Sequence, residues 1–96
     1  MRTMIRIKMP VETGNRAFKD GTLPKTLMEA LERLKPEAAY FLPDQGVRTA
    51  IMVVDLKDSS EIPAIAELFF SRLDAAVEFL PVMNAEDLKK GLSKIG

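Results

Sequence analysis

Polar and apolar positions alternate at the start of the chain. Over residues 3–9, Ile5, Ile7 and Met9 share one parity while Arg6 and Lys8 take the other. A period of two marks a strand with one wet face, so this stretch predicts a strand that Pro10 ends. Glu12-Thr13-Gly14-Asn15 then reads as a turn, with Asn15 placed to cap a short helical piece closing at Asp20-Gly21. The period changes after that. Leu23, Leu27, Ala30, Leu31 and Leu34 recur at helical spacing between Thr22, an N-cap candidate, and Pro36. Two strand-like runs, 38–42 and 48–56, flank the turn-forming segment Pro43-Asp44-Gln45-Gly46-Val47 and are expected to pair antiparallel. The second holds Ile51-Met52-Val53-Val54, apolar on both parities, which predicts a central strand covered above and below.

The remaining chain repeats the scheme. Asp58, Ser59 and Ser60 are N-cap candidates for a helix whose stripe is Ile62, Ile65, Ala66, Phe69 and Leu73. Residues 77–83 read as a last strand, and Pro81, which cannot donate to a ladder, places it at an edge or ends it. Asn84 caps a C-terminal helix bearing Leu88, Leu92 and Ile95. Strand, helix, strand, strand, helix, strand and a further helix predict an α+β, ferredoxin-like domain over residues 1–96, with a four-stranded antiparallel sheet. Two helices cover one sheet face. Parity then puts Met4, Arg6, Lys8, Ile51, Val53, Asp55, Glu78, Leu80 and Val82 on the other, with Arg6 beside Glu78. That face is too apolar for water, which predicts a homodimer packed through its sheets, with Arg6, Glu78, Ile51, Val53, Leu80 and Val82 at the interface.

Composition narrows the chemistry. The 96 residues contain no Cys and no His, so thiolate nucleophiles, Cys/His zinc sites and Ser-His-Asp triads are excluded, and neither metal nor cofactor is expected. A single small domain builds only a thin core, which again favours self-association. Lys and Arg total 14 and Asp and Glu total 14, so no excess of charge invites nucleic acid or an anionic membrane. The first residues lack the apolar run of a signal peptide and no window is apolar for long enough to span a bilayer, which predicts a cytoplasmic protein.

Several blocks carry a likeness: Pro10-Val11-Glu12-Thr13-Gly14-Asn15, Asp20-Gly21-Thr22-Leu23, Lys35-Pro36-Glu37-Ala38-Ala39-Tyr40-Phe41, Arg48-Thr49-Ala50 and Pro81-Val82-Met83-Asn84 with Glu86-Asp87-Leu88. Through them the chain resembles a family of small bacterial proteins in the dimeric α/β-barrel superfamily, in which two ferredoxin-like subunits join their sheets into one barrel. The resemblance implies a fold and a dimer but no reaction. The superfamily spans cofactor-independent monooxygenases, a muconolactone isomerase, haem-degrading enzymes, dehalogenase-like proteins and ligand-sensing domains, and fold alone does not choose among them. Haem chemistry fits poorly, since this chain has no axial His.

Two function classes follow. One is a non-catalytic dimeric module that binds a small molecule. The other is a cofactor-independent monooxygenase-like or isomerase-like enzyme, with Glu12, Glu67 or Glu78 as base and Arg6, Lys8 or Arg48 steadying a developing anion. The segment from Val11 to Asp20 is longer than a strand-to-helix join requires, and extra loop length marks function. Glu12 and Asn15 from it, with Tyr40 and Asn84, are the candidate pocket residues. Three of the four also have a plain structural reading, Asn15 and Asn84 as helix caps and Tyr40 as an amphipathic strand residue. A closed cavity holding a buried carboxylate or Tyr40 of strongly perturbed pKa favours the enzyme, and a solvent-filled groove at the dimer seam lined by caps and ion pairs favours the module.

Overall fold

A computed structural model describes residues 1–96. The order is β1 (Arg2–Lys8), α1 (Val11–Asp20), α2 (Thr22–Leu34), β2 (Ala38–Asp44), β3 (Val47–Asp55), a 3-10 turn (Ser59–Glu61), α3 (Ile62–Leu73), β4 (Ala76–Pro81) and α4 (Ala85–Ser93). The four strands form one antiparallel sheet in the order β2-β3-β1-β4. This α+β arrangement is compatible with a ferredoxin-like fold. No helix is long and apolar enough to cross a membrane.

Register fixes the two faces. Ile5 lies opposite Met52 and Phe79, and Ile7 opposite Ala50 and Val77, so these residues share the face that α1, α2 and α3 cover. Ile5, Ile7, Met52, Phe69 and Leu73 are fully buried there, with Leu23 and Ala30 from α2 and Ile65 and Leu68 from α3. Glu29 on α2 accepts from Arg72 on α3 at 2.8 and 3.3 Å, which clamps the two helices from outside. The guanidinium of Arg72 thus meets the Glu29 carboxylate fork to fork. Within α2, Glu29 also pairs with Arg33 at 3.4 Å.

Several local expectations change. The stretch 11–15 is helical, not a turn: Pro10 occupies the N-cap position and its carbonyl accepts from the Gly14 N–H at 2.8 Å. Asn15 therefore sits inside α1 and caps nothing. Thr22 is likewise a helical residue: Gly21 occupies the N-cap position, and the Asp20 carboxylate before it accepts from the Thr22 N–H at 2.8 Å. The β2–β3 connection is shorter than the five residues expected. The strands run to Asp44 and from Val47, and Gln45 and Gly46 turn the chain with φ of 55° and 80°, the two-residue geometry that suits a hairpin's twist and favours Gly at the second place. β3 is central as expected, but within one chain it is covered on the helix face only: Ile51 and Val53 stay half-exposed. β4 is an edge strand that ends at Pro81.

α4 departs furthest from its expected packing. Asn84 caps it as predicted, accepting from the Asp87 N–H at 2.8 Å, while the Asp87 carboxylate accepts from the Asn84 N–H at 3.1 Å. The expected stripe, however, stays in solvent: Leu88 and Leu92 are 45% and 57% exposed, and Ile95, which the helix was expected to carry, lies beyond its end at Ser93 and is 82% exposed. Spacing made α4 amphipathic, but nothing in the same chain lies opposite its stripe. Phe70 is a surface residue of α3.

Candidate functional site

A largely apolar cavity lies on the helix side of the sheet, where α2 meets the hairpin end of β2 and β3. Its volume is about 360 Å³, and its walls include Met9, Leu23, Leu27, Phe41 and Pro43. Ligand pockets run from roughly 300 to 1,000 Å³ and are mainly apolar with a few placed polar groups, so this one suits a small occupant. A shallower apolar groove of about 260 Å³ shares Leu27 and Phe41 with it and continues past Met28 and Leu31 along α2.

Arg48 is the only charged residue in the pocket wall. Three residues on one side of α1 hold it. Its Nη1 donates to Asn15 Oδ1 at 2.7 Å, its guanidinium carbon stands 5.7 Å from the centre of the Phe18 ring, and Gly14 gives it room. A Cβ at position 14 would stand 3.3 Å from Arg48 Nη1 and 3.5 Å from its Cδ. Glycine inside a helix costs about 1 kcal/mol against alanine, so the close approach of the guanidinium accounts for a residue the helix itself disfavours. No carboxylate meets Arg48. Asp44, on the same hairpin, is engaged by Lys8 at 3.2 Å.

The second large cavity makes a contrast. It lies at the root of α4, has a volume of about 520 Å³ and is bordered by Met1, Arg2, Val82, Met83 and Asp87. Arg2 there is already doubly paired, with Glu37 at 2.7 Å and with Asp87. The Arg2 guanidinium is held more basic than usual, first by its hydrogen bond to Glu37, and the Asp87 carboxyl is held below its usual range, first by the Asn84 N–H. This cation is spent within the fold, whereas Arg48 has only a neutral amide for company.

The four sequence-predicted pocket residues are not brought together. Asn15 reaches the site through Arg48. Glu12 is an exposed residue of the first turn of α1, outside the pocket wall. Tyr40 pairs with Ile51, which puts it on the opposite sheet face, 66% exposed. Asn84 is the cap of α4. Phe41, Leu27 and Gly14 were not singled out from sequence. The signal available for Gly14 was its three-residue spacing from Ala17 on the one buried side of α1, which the turn-like Thr13-Gly14-Asn15 masks.

The predicted interface residues do share a surface. Across the open face, Tyr40, Ile51, Arg6 and Glu78 form one row and Ala38, Val53, Met4 and Leu80 the next. Arg6 Nη1 stands 3.4 Å from Glu78 Oε1, the neighbours expected from parity. Val82 follows β4, with its N–H donating to the Arg2 carbonyl at 3.1 Å. No three carboxylates converge as a metal-binding group would require. Comparison with protein-family models, curated proteins and solved structures found no match for this chain.

Proposed function

We propose that this protein is a homodimeric module that binds a small molecule on the helix side of its sheet and pairs with a second copy through the open side. The observation that carries the ligand reading is the apolar pocket with Arg48 as its one charged wall residue. The dimer reading rests on the half-exposed Met4, Ile51 and Val53, with Leu80, in contiguous rows, with the Arg6–Glu78 pair in the row of Ile51 and the Lys8–Asp44 and Arg2–Glu37 pairs toward the strand ends. An apolar centre with a polar rim is the anatomy of a protein interface. Joined sheets of this kind make the dimeric α/β barrel that the sequence resembles.

The enzyme alternative, monooxygenase-like or isomerase-like, needs a group within reach of the substrate to take a proton. The pocket wall offers neither a carboxylate nor a tyrosine hydroxyl, which favours the binding module. The test is a titration of isotope-labelled protein with the neutral apolar probe indole, followed by amide chemical shifts. Saturable shifts centred on Leu23, Leu27, Phe41 and Thr49 are expected. Shifts that stay linear in probe, or that centre on Ile51 and Val53, contradict the reading.

A further inference from the structure

We infer that the ligand is an elongated monocarboxylate, an alkyl or aryl-alkyl acid whose head meets Arg48 and whose tail runs from the pocket along the outer groove of α2. This inference rests on the binding reading above and adds the ligand's chemical class.

The head follows from the state of Arg48. A guanidinium presents a planar fork of N–H donors, and here only Nη1 has a partner, the neutral Asn15 Oδ1 at 2.7 Å. The residue is half-buried, has no ion-pair partner, and leans on Phe18. A cation withdrawn partly from water without a counter-charge is a cost that an anionic ligand removes, and a carboxylate matches the fork two oxygens to two N–H groups. The surroundings also orient it. Asn15 and the space over Gly14 hold the guanidinium against α1 and so determine which of its donors remain free. A dianion such as a phosphate monoester is disfavoured because no second cation lies in the wall.

The tail follows from the continuity of two apolar surfaces. Leu27 and Phe41 border both the 360 Å³ pocket and the 260 Å³ groove, and Pro24, Met28 and Leu31 extend the groove along α2. Met28 and Phe41 are 64% and 51% exposed. A flexible, polarisable methionine at such a position adapts to chains of different length. Each methylene moved from water onto this surface should tighten binding about 4-fold, until the groove is filled.

The test is calorimetric titration of the intact protein with four probes: hexanoate, decanoate, 1-hexanol and 1-decanol. Hexanoate is expected to bind about 10- to 100-fold more tightly than hexanol, the range of a charge-assisted hydrogen-bonded pair, and decanoate more tightly than hexanoate. In Arg48→Gln the acid should fall to the affinity of the alcohol while the alcohol is unchanged, and the unchanged alcohol certifies the fold of the variant. Gly14→Ala, which crowds the guanidinium, should weaken the acid and spare the alcohol. Equal binding of acid and alcohol in the unmodified protein overturns the carboxylate and leaves the pocket reading standing. A decanoate no tighter than hexanoate overturns the groove as the path of the tail. Failure of all four probes to bind contradicts the binding reading itself, and this inference falls with it.

Discussion

The two faces of the sheet are made from the same alternating strands and end in opposite states. On the helix side, Ile5, Ile7, Ala50 and Met52 are each sealed completely, and Phe69 and Leu73 close over them from α3. On the open side, Met4, Ile51 and Val53 occupy the intervening positions with almost the same apolar character and remain half-exposed. In β3 local sequence does not separate the two, since both parities are apolar; in β1 the charges of Arg6 and Lys8 already mark the open side. A polar outer face would have sufficed for a sheet that works alone, and this apolar outer face is the ground of the dimer proposed above. The ion pairs add to this. Arg6–Glu78, Lys8–Asp44 and Arg2–Glu37 all project on or beside the open side, where they neutralise one another and leave a surface of little net charge.

Substitutions separate the faces most sharply. Phe69→Ala empties the centre of the covered face and should cost about 3–5 kcal/mol in urea unfolding, whereas a loss under about 1 kcal/mol would mean that Phe69 is not the keystone its burial implies. Val53→Asp places a charge in the centre of the open face. It should weaken self-association roughly 100-fold, about 2.7 kcal/mol, by sedimentation, with the fold kept. Equal damage to folding and association by Val53→Asp would erase the distinction between the faces.

Smaller effects sharpen the same picture. The Thr26 hydroxyl is buried in α2 on the covered side without a hydrogen-bond partner. Thr26→Val keeps the shape and removes the unpaired group, so the midpoint of thermal unfolding should rise, by about 1 kcal/mol in stability. An unchanged or lower midpoint would point to a partner for that hydroxyl. Acid acts last and outside both faces. The Glu29 carboxyl is held below its ordinary value of 4.5 chiefly by the hydrogen bond from Arg72, and the Asp87 carboxyl below 3.8 chiefly by the Asn84 N–H. Lowered folded values mean stability that is present above these ordinary values and lost as pH falls through the folded ones. The urea midpoint should therefore be level near neutrality and decline below pH 4.5, and Arg72→Met should flatten the Glu29 share of that decline. A midpoint that rises between pH 4.5 and 3.8 contradicts the assignment.

Much of the fold was legible because the strong periodicities are local. Ile5, Ile7 and Met9 announce β1, and the leucines of α2 and the Ile65-to-Leu73 stripe announce their helices. The Arg6–Glu78 neighbourhood followed from parity alone. The pocket was less legible, and one residue of register explains why. A five-residue connection would pair Leu42 with Arg48 and Tyr40 with Ala50, on the helix side. The two-residue turn at Gln45-Gly46 pairs Asp44 with Val47, and so turns Tyr40 outward and Phe41 inward. At α1, Thr13-Gly14-Asn15 has turn chemistry, yet the packing of Arg48 against Gly14 outweighs the helix penalty of glycine. Such contacts join positions far apart in the chain, and no local pattern encodes them.

Sedimentation equilibrium on the unliganded protein, from low to high micromolar concentration, tests the central claim most directly. The covered-face and open-face contrast predicts a species of twice the 10.7 kDa chain mass, lost in Val53→Asp. A single 10.7 kDa species over the whole range would contradict it.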